Sequence, residues 1–215
     1  MTRRWYWIGG VSLLLMAILA PWAVFGNIAS MIDRSDALVS YDNVLAQVSL
    51  YRLSILMMWL VIILDLLVSW VSYLLLKQGG SSLAGPTAAL RLIYTGLFAV
   101  AISYLGRSLA MGTDTVLADF LAFEHLWNLA LSIFGLHLLC FGLGFWQSSL
   151  GPKWLAGLLA LAGAGYLIDS LALILGYKPQ ISLVTFVGEV LLMAWLLWRG
   201  FRPLDNSAQV ANAST

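Results

Sequence analysis

Six apolar stretches divide this chain, and each is long enough to cross the roughly 30 Å hydrocarbon core of a bilayer at about 1.5 Å per helical residue. They cover residues 5–25, 50–76, 87–107, 119–146, 154–175 and 181–198. In lipid a backbone must satisfy its own hydrogen bonds, so runs of this length fold as helices. The predicted fold is therefore all-α, an integral membrane bundle of six transmembrane helices. Composition points the same way: 61% of the 215 residues are hydrophobic and 10% are charged, against about 25% charged in soluble domains.

The breaks between the stretches carry ordinary turn chemistry. KQGGSSLAGP, AMGTDTV, SSLGPK and GYKPQ are rich in the Gly, Pro and small polar residues that end helices. The longest connection, residues 26–49, mixes polar and apolar positions and is predicted to form a short amphipathic helix over one membrane face. The start MTRR resembles a secretory signal, but the apolar run that follows is about twenty residues instead of 7–15. Trp5, Tyr6 and Trp7 read there as an interfacial anchor. The first stretch is thus expected to stay as a membrane helix within a single domain of residues 1–203. Residues 204–215 are small and polar and are expected to form a disordered tail.

With an even number of spans both termini share one side, and the distribution of positive charge selects it. One side collects Arg3, Arg4, Lys77, Lys153, Arg199 and Arg202, whereas the other holds Arg34, Arg107 and Lys178 with Asp33, Asp36, Asp42 and Asp114. Both termini are expected in the cytoplasm, with residues 26–49 outside it. A net charge of +1 from 11 basic and 10 acidic residues offers no basic stripe for nucleic acid. The partners to expect are the lipid bilayer and, beyond it, other membrane subunits or further copies of the chain. The single cysteine, Cys140, excludes an intramolecular disulfide and reads as a small buried hydrophobe.

This topology converts sequence positions into depths. Arg52, Arg107, Glu124, His125 and Asp169 fall in the outer third, and Asp65, His137 and Glu189 fall nearer the midplane. Arg91 lies about one turn inside the inner boundary. A charge at the centre of a membrane helix costs about 2.5–3.5 kcal/mol on insertion scales, so several of them imply pairing or a wet cavity. The expected outer pairs are Arg52 with Glu124 or Asp169; the expected inner pair is Arg91 with Asp65, since an arginine can reach along the membrane normal. Such pairs more often clip a bundle together than perform chemistry. Glu189 has no basic residue at its depth, which is the position of a proton-carrying acid or of a neutral acid hydrogen-bonded to a neighbouring helix.

The fourth stretch holds both histidines. Glu124, His125, Asn128, Ser132 and Gly135 make one polar or small-residue stripe at helical spacing. His137 lies about 120° around the helix from His125 and about 18 Å along it. It shares its face with Phe134, Phe141 and Gly144. The two histidines cannot ligate one metal or one haem within a monomer. A b-type haem would need a His and Met pair, and a zinc site three or four ligands, for which Glu124, His125 and Asp169 are the weak candidates at the outer mouth. No cofactor is predicted. In the fifth stretch Ala156, Ala160 and Ala164, beside Gly157 and Gly165, form a small-residue ridge for close helix contact inside the bundle or between protomers. No Walker loop, dinucleotide fingerprint, nucleophile elbow or HExxH motif occurs.

The blocks YRLSILMMWLVIILDLLVSWVSYLLLK, RLIYTGLFAV, FGLHLLCFGLGF and LAGLLALAGAGYLIDSLA resemble the bacterial membrane family catalogued as domain of unknown function forty-three eighty-six, over roughly residues 6–200. The resemblance implies a six-helix protein of the bacterial inner membrane and singles out Arg52, Asp65, Arg91, His137 and Asp169 as motif positions. It brings no activity with it. The residues themselves favour binding or carriage of a small solute, proton or lipid through a polar cavity between the second, third, fourth and fifth helices. An accessory subunit of a larger membrane complex and a metal- or haem-dependent membrane enzyme are the alternatives.

Overall fold

Apolar length sets the helices of this chain, and local chemistry sets where they stop. The computed structural model describes residues 2–111 and 115–202. Helix α1 covers Arg3–Pro21. Pro21 carries no N–H for the helical ladder, and the chain continues as a wider π-helical turn over Trp22–Ile28 and a 3₁₀ turn over Ala29–Met31. Asn27 Nδ2 donates to the Trp22 carbonyl at 2.8 Å inside that wide turn. The first span therefore runs further than its apolar composition implies, to Met31. The connection that follows holds α2, Ala37–Ala46, whose N-cap Asp36 accepts the N–H groups of Leu38 at 2.9 Å and Val39 at 3.1 Å.

The remaining helices are α3 (Val48–Gln78), α4 (Ala84–Met111), α5 (Val116–Gln147), α6 (Lys153–Ile174), the short α7 (Ser182–Thr185) and α8 (Val187–Phe201). Six helical segments are long and apolar enough to span a membrane, the last being α7 and α8 together. The described residues contain no strand. The predicted tail, residues 204–215, and Asp114 lie outside the described residues.

The spans form a closed ring. Each packs on the next in the order α3, α4, α5, α6, α8, α1, and α1 closes the circle against α3. Neighbours in sequence are neighbours in space because the connections are short. The start of α1 and the end of α8 meet, where Arg3 Nε donates to the Gly200 carbonyl and the Trp7 and Phe201 rings lie 4.3 Å apart. Tyr6 does not face lipid as an anchor would. It is buried, with its ring edge-on to Trp195 at 5.9 Å. Outside the ring, Ile18, Leu56, Ile63, Ile93 and Leu171 are exposed, an apolar belt that hydrocarbon covers and water would not.

The small-residue ridge is used inside the bundle, on a face turned slightly from the one its spacing marks. A Cβ on Gly142 of α5 would lie 2.8 Å from the Ala156 carbonyl oxygen and from Ala160 N, and one on Gly163 of α6 would lie 2.6 Å from the Gly135 carbonyl oxygen. The backbones approach so closely there that neither Gly142 nor Gly163 has room for a side chain. Gly157 points away, and a Cβ there would have no neighbour closer than 4.0 Å.

Candidate functional site

The site begins with three side chains that α3, α4 and α5 bring to one point. Arg91 of α4 donates to Asp65 of α3 through Nε at 3.0 Å and Nη2 at 2.5 Å, both to Oδ1. Its third nitrogen, Nη1, lies 3.3 Å from Nε2 of His137 on α5. His137 Nδ1 in turn lies 2.9 Å from the Thr87 carbonyl oxygen. A carbonyl can only accept, so Nδ1 carries the proton and Nε2 accepts from the guanidinium. The ring is a neutral imidazole held in one tautomer. Thr87 stands four residues before Arg91, so one turn of α4 supplies both the cation and the carbonyl that orients the histidine holding it.

These groups are buried: Asp65 is 0%, Arg91 3% and His137 1% exposed. Buried charges survive only when paired and hydrogen-bonded, and here the pairing is incomplete. Both guanidinium bonds go to one carboxylate oxygen, and Asp65 Oδ2 has no hydrogen-bond partner. Aromatic rings support the chain. The guanidinium lies 5.3 Å from the centre of Phe134, and His137 stacks between Phe134 at 5.6 Å and Phe141 at 6.0 Å.

Beside this chain, at the centre of the ring, is a cavity of about 290 Å³. All six spans wall it, each with one helix face: Leu13 and Met16 from α1, Val61 and Asp65 from α3, Arg91, Tyr94 and Phe98 from α4. Trp127, Leu131 and Phe134 come from α5, Tyr166 from α6, and Glu189 and Met193 from α8. His137 stands behind Arg91 and is not part of the wall. Glu189 makes no ion pair among the described residues. It interacts with the Tyr166 hydroxyl, and its Oε1 has no hydrogen-bond partner. Two acids therefore line one cavity, each with an unsatisfied oxygen. Sequence reasoning missed Tyr94, Trp127 and Tyr166, although Tyr94 follows Arg91 at the three-residue spacing that puts both on one face.

The outer charges are arranged differently from their depth order. Glu124 pairs with Arg34, at 2.5 Å, and not with Arg52. Arg34 enters from the connection before α2, which depth along the spans could not anticipate. Arg52 is exposed and forms no ion pair among the described residues. Asp169 does not pair with it either. Its two carboxyl oxygens accept the N–H groups of Ile181 and Ser182, both at 2.8 Å, and so cap the start of the last span. Arg107 and Asp119 form a further ion pair that ties the end of α4 to the start of α5. The two flank one connection in sequence, which is the signal that could have joined them.

His125 and Asn128 are exposed, and the Asn128 carbonyl accepts the Ser170 hydroxyl at 3.2 Å. Glu124 and Asn128 border a smaller cavity of about 170 Å³. The structure does not bring Glu124, His125 and Asp169 together, and no cluster of three metal-ligating side chains occurs among the described residues. At the same end Asp33 accepts the Ser35 hydroxyl at 2.6 Å and the Ser35 N–H at 2.8 Å. Those bonds hold its carboxyl below the usual carboxylate range and keep it charged.

Six apolar helices closed around a cavity with a buried acid, base and histidine beside it define a multi-pass membrane protein with an intramembrane polar core. The chain belongs to the family described as Domain of unknown function (DUF4386), whose sequence model matches residues 8–200. A curated protein of Archaeoglobus fulgidus, described as an uncharacterized protein, is 33% identical over 147 residues, covering 68% of this chain and 83% of that relative. No solved structure matches the chain.

Proposed function

We propose that this protein binds a small molecule in the central cavity and carries it through the bundle, in a bacterial inner membrane with both termini in the cytoplasm. One observation supports this reading above the rest: the cavity walled by all six spans is lined by Asp65 and Glu189, each with a carboxyl oxygen that no protein group satisfies. A buried polar atom left unpaired costs about 1–3 kcal/mol, more if charged, so a bound molecule that donates to it gains what the protein alone forgoes. The volume of about 290 Å³ stands at the small end of the roughly 300–1,000 Å³ range of small-molecule sites, which are likewise mostly apolar with a few placed polar groups.

The wall also favours entry from the side. Ala17 and Pro21 of α1 and Phe186 and Val190 beside and on α8 border the cavity and are exposed as well. A mouth between α1 and α8 would admit a molecule already dissolved in lipid. In this reading Asp65, Arg91 and Glu189 meet the ligand, and His137 is a positioning residue that fixes the third guanidinium nitrogen.

Single cysteines placed in a Cys140→Ser background test the cavity. Val61 lines it and Leu138 is packed away from it, yet both are buried. Val61→Cys is expected to react with methyl methanethiosulfonate at least about tenfold faster than Leu138→Cys, because access through the cavity sets the rate. Equal and slow reaction at both positions would mean a closed core, and the carrier reading would fall.

A further inference from the structure

We infer that the cavity selects a monovalent organic cation, an amphipathic molecule with a substituted ammonium head and an apolar body; this rests on the cavity being a ligand site. The charges that border it do not balance. Arg91 spends Nε and Nη2 on Asp65 and Nη1 on His137, so its charge is answered within the protein. Among the described residues Glu189 forms no ion pair of its own, and Arg91, which acts on it only through space, is already bonded to Asp65. An anion entering the cavity meets Glu189 and finds no unengaged base. A neutral apolar molecule fits the wall but brings no opposite charge to Glu189, which forms no ion pair among the described residues. A cation with an apolar body meets both demands at once.

The wall supplies the second half of the recognition. Six aromatic side chains line the cavity: Tyr94, Phe98, Trp127, Phe134, Tyr166 and Phe186. Five of them touch in sequence as one surface, from Trp127 to Phe98 at 5.6 Å, Phe98 to Tyr94 at 5.8 Å, Tyr94 to Phe134 at 4.8 Å, and Phe134 to Tyr166 at 5.3 Å. Ring faces are negative and attract cations, most strongly where water is excluded, and aromatic walls with a nearby acid are how proteins hold quaternary ammonium groups. Tyr166 belongs to both features, since its ring closes the wall and its hydroxyl interacts with the unpaired Glu189.

The test uses three probes of one shape and different charge: phenyltrimethylammonium, its neutral isostere tert-butylbenzene, and benzenesulfonate. Calorimetric titration of the full chain in lipid nanodiscs, with empty discs as blanks, is expected to show phenyltrimethylammonium binding about tenfold or more tighter than tert-butylbenzene, with no binding of benzenesulfonate. Glu189→Gln removes the charge without leaving an orphaned partner, so it should fold. It is expected to weaken the cation about tenfold and leave the neutral probe unchanged. Equal binding of cation and neutral isostere, insensitivity of the cation to Glu189→Gln, or preference for the sulfonate would each overturn the cation assignment while the cavity remains a ligand site. If none of the probes binds, the cation assignment is overturned, and unreactive Val61→Cys in the same discs would show that the cavity reading has failed with it.

Discussion

Replacing Arg91 with leucine is expected to cost about 3–5 kcal/mol of stability, because it strands a buried charge. Asp65 is fully buried and receives both of its hydrogen bonds from Arg91, so the variant leaves a carboxyl with neither oxygen partnered. His137 loses the donor to Nε2 in the same step. Removing both members of the pair is a different matter. An ion pair replaced by apolar groups of similar volume is often neutral or stabilising, so Asp65→Leu with Arg91→Leu is expected to recover most of the loss. Unfolding of the single and double variants in detergent micelles measures the coupling directly. A single variant as stable as the parent would mean that the Asp65–Arg91 bond is solvated and carries no structural weight.

The second large effect is expected at Gly163, where α5 and α6 touch through their backbones. A Cβ there would lie 2.6 Å from the Gly135 carbonyl oxygen and 2.7 Å from Leu139 N. Backbone atoms cannot rotate aside, so a side chain must part the helices. Gly163→Leu is expected to lose about 3 kcal/mol or more, at the top of the range for overpacked interiors. Gly157→Leu on the same helix is the control. Its nearest neighbour, Trp146, lies 4.0 Å from the Cβ position, so it is expected to be neutral or to gain the helix propensity that glycine lacks. Similar stabilities for the two variants in a thermal melt would place the α5–α6 contact elsewhere.

Much of this architecture is legible from the residues alone. Apolar length yields six spans, because a bilayer permits little else to an unbroken run of that size. Depth yields the Asp65–Arg91 bond, since alternating spans put the two at nearby heights and arginine bridges the remainder. Counting turns separates His137 from His125, and the structure keeps them apart, one packed behind Arg91 and the other exposed.

Depth fails where the answer depends on direction around a helix. Arg52 stands near the end of α3 expected to pair with Glu124 or Asp169, yet it is exposed, and Arg34 from the connection takes Glu124. The ridge on α6 is readable as small residues, but its contact with Gly135 and Gly142 depends on rotation by part of a turn, which one helix does not encode. The cavity is expected between four helices and is walled by six. Spans α1 and α8 escape notice as walls because α1 has no charge within the membrane, and Glu189 has no visible partner. That missing partner is the reason Glu189 matters.

A map of the protein in lipid nanodiscs, at a resolution that shows ordered waters and bound molecules, bears most directly on the role of the central cavity. Non-protein density is expected between Arg91, Tyr166 and Glu189, within hydrogen-bonding distance of Glu189 Oε1. A core in which Tyr94, Phe134 and Tyr166 have closed over that space, with Glu189 bonded only to protein, would contradict a ligand site and leave the Asp65–Arg91–His137 chain as a clasp between three helices.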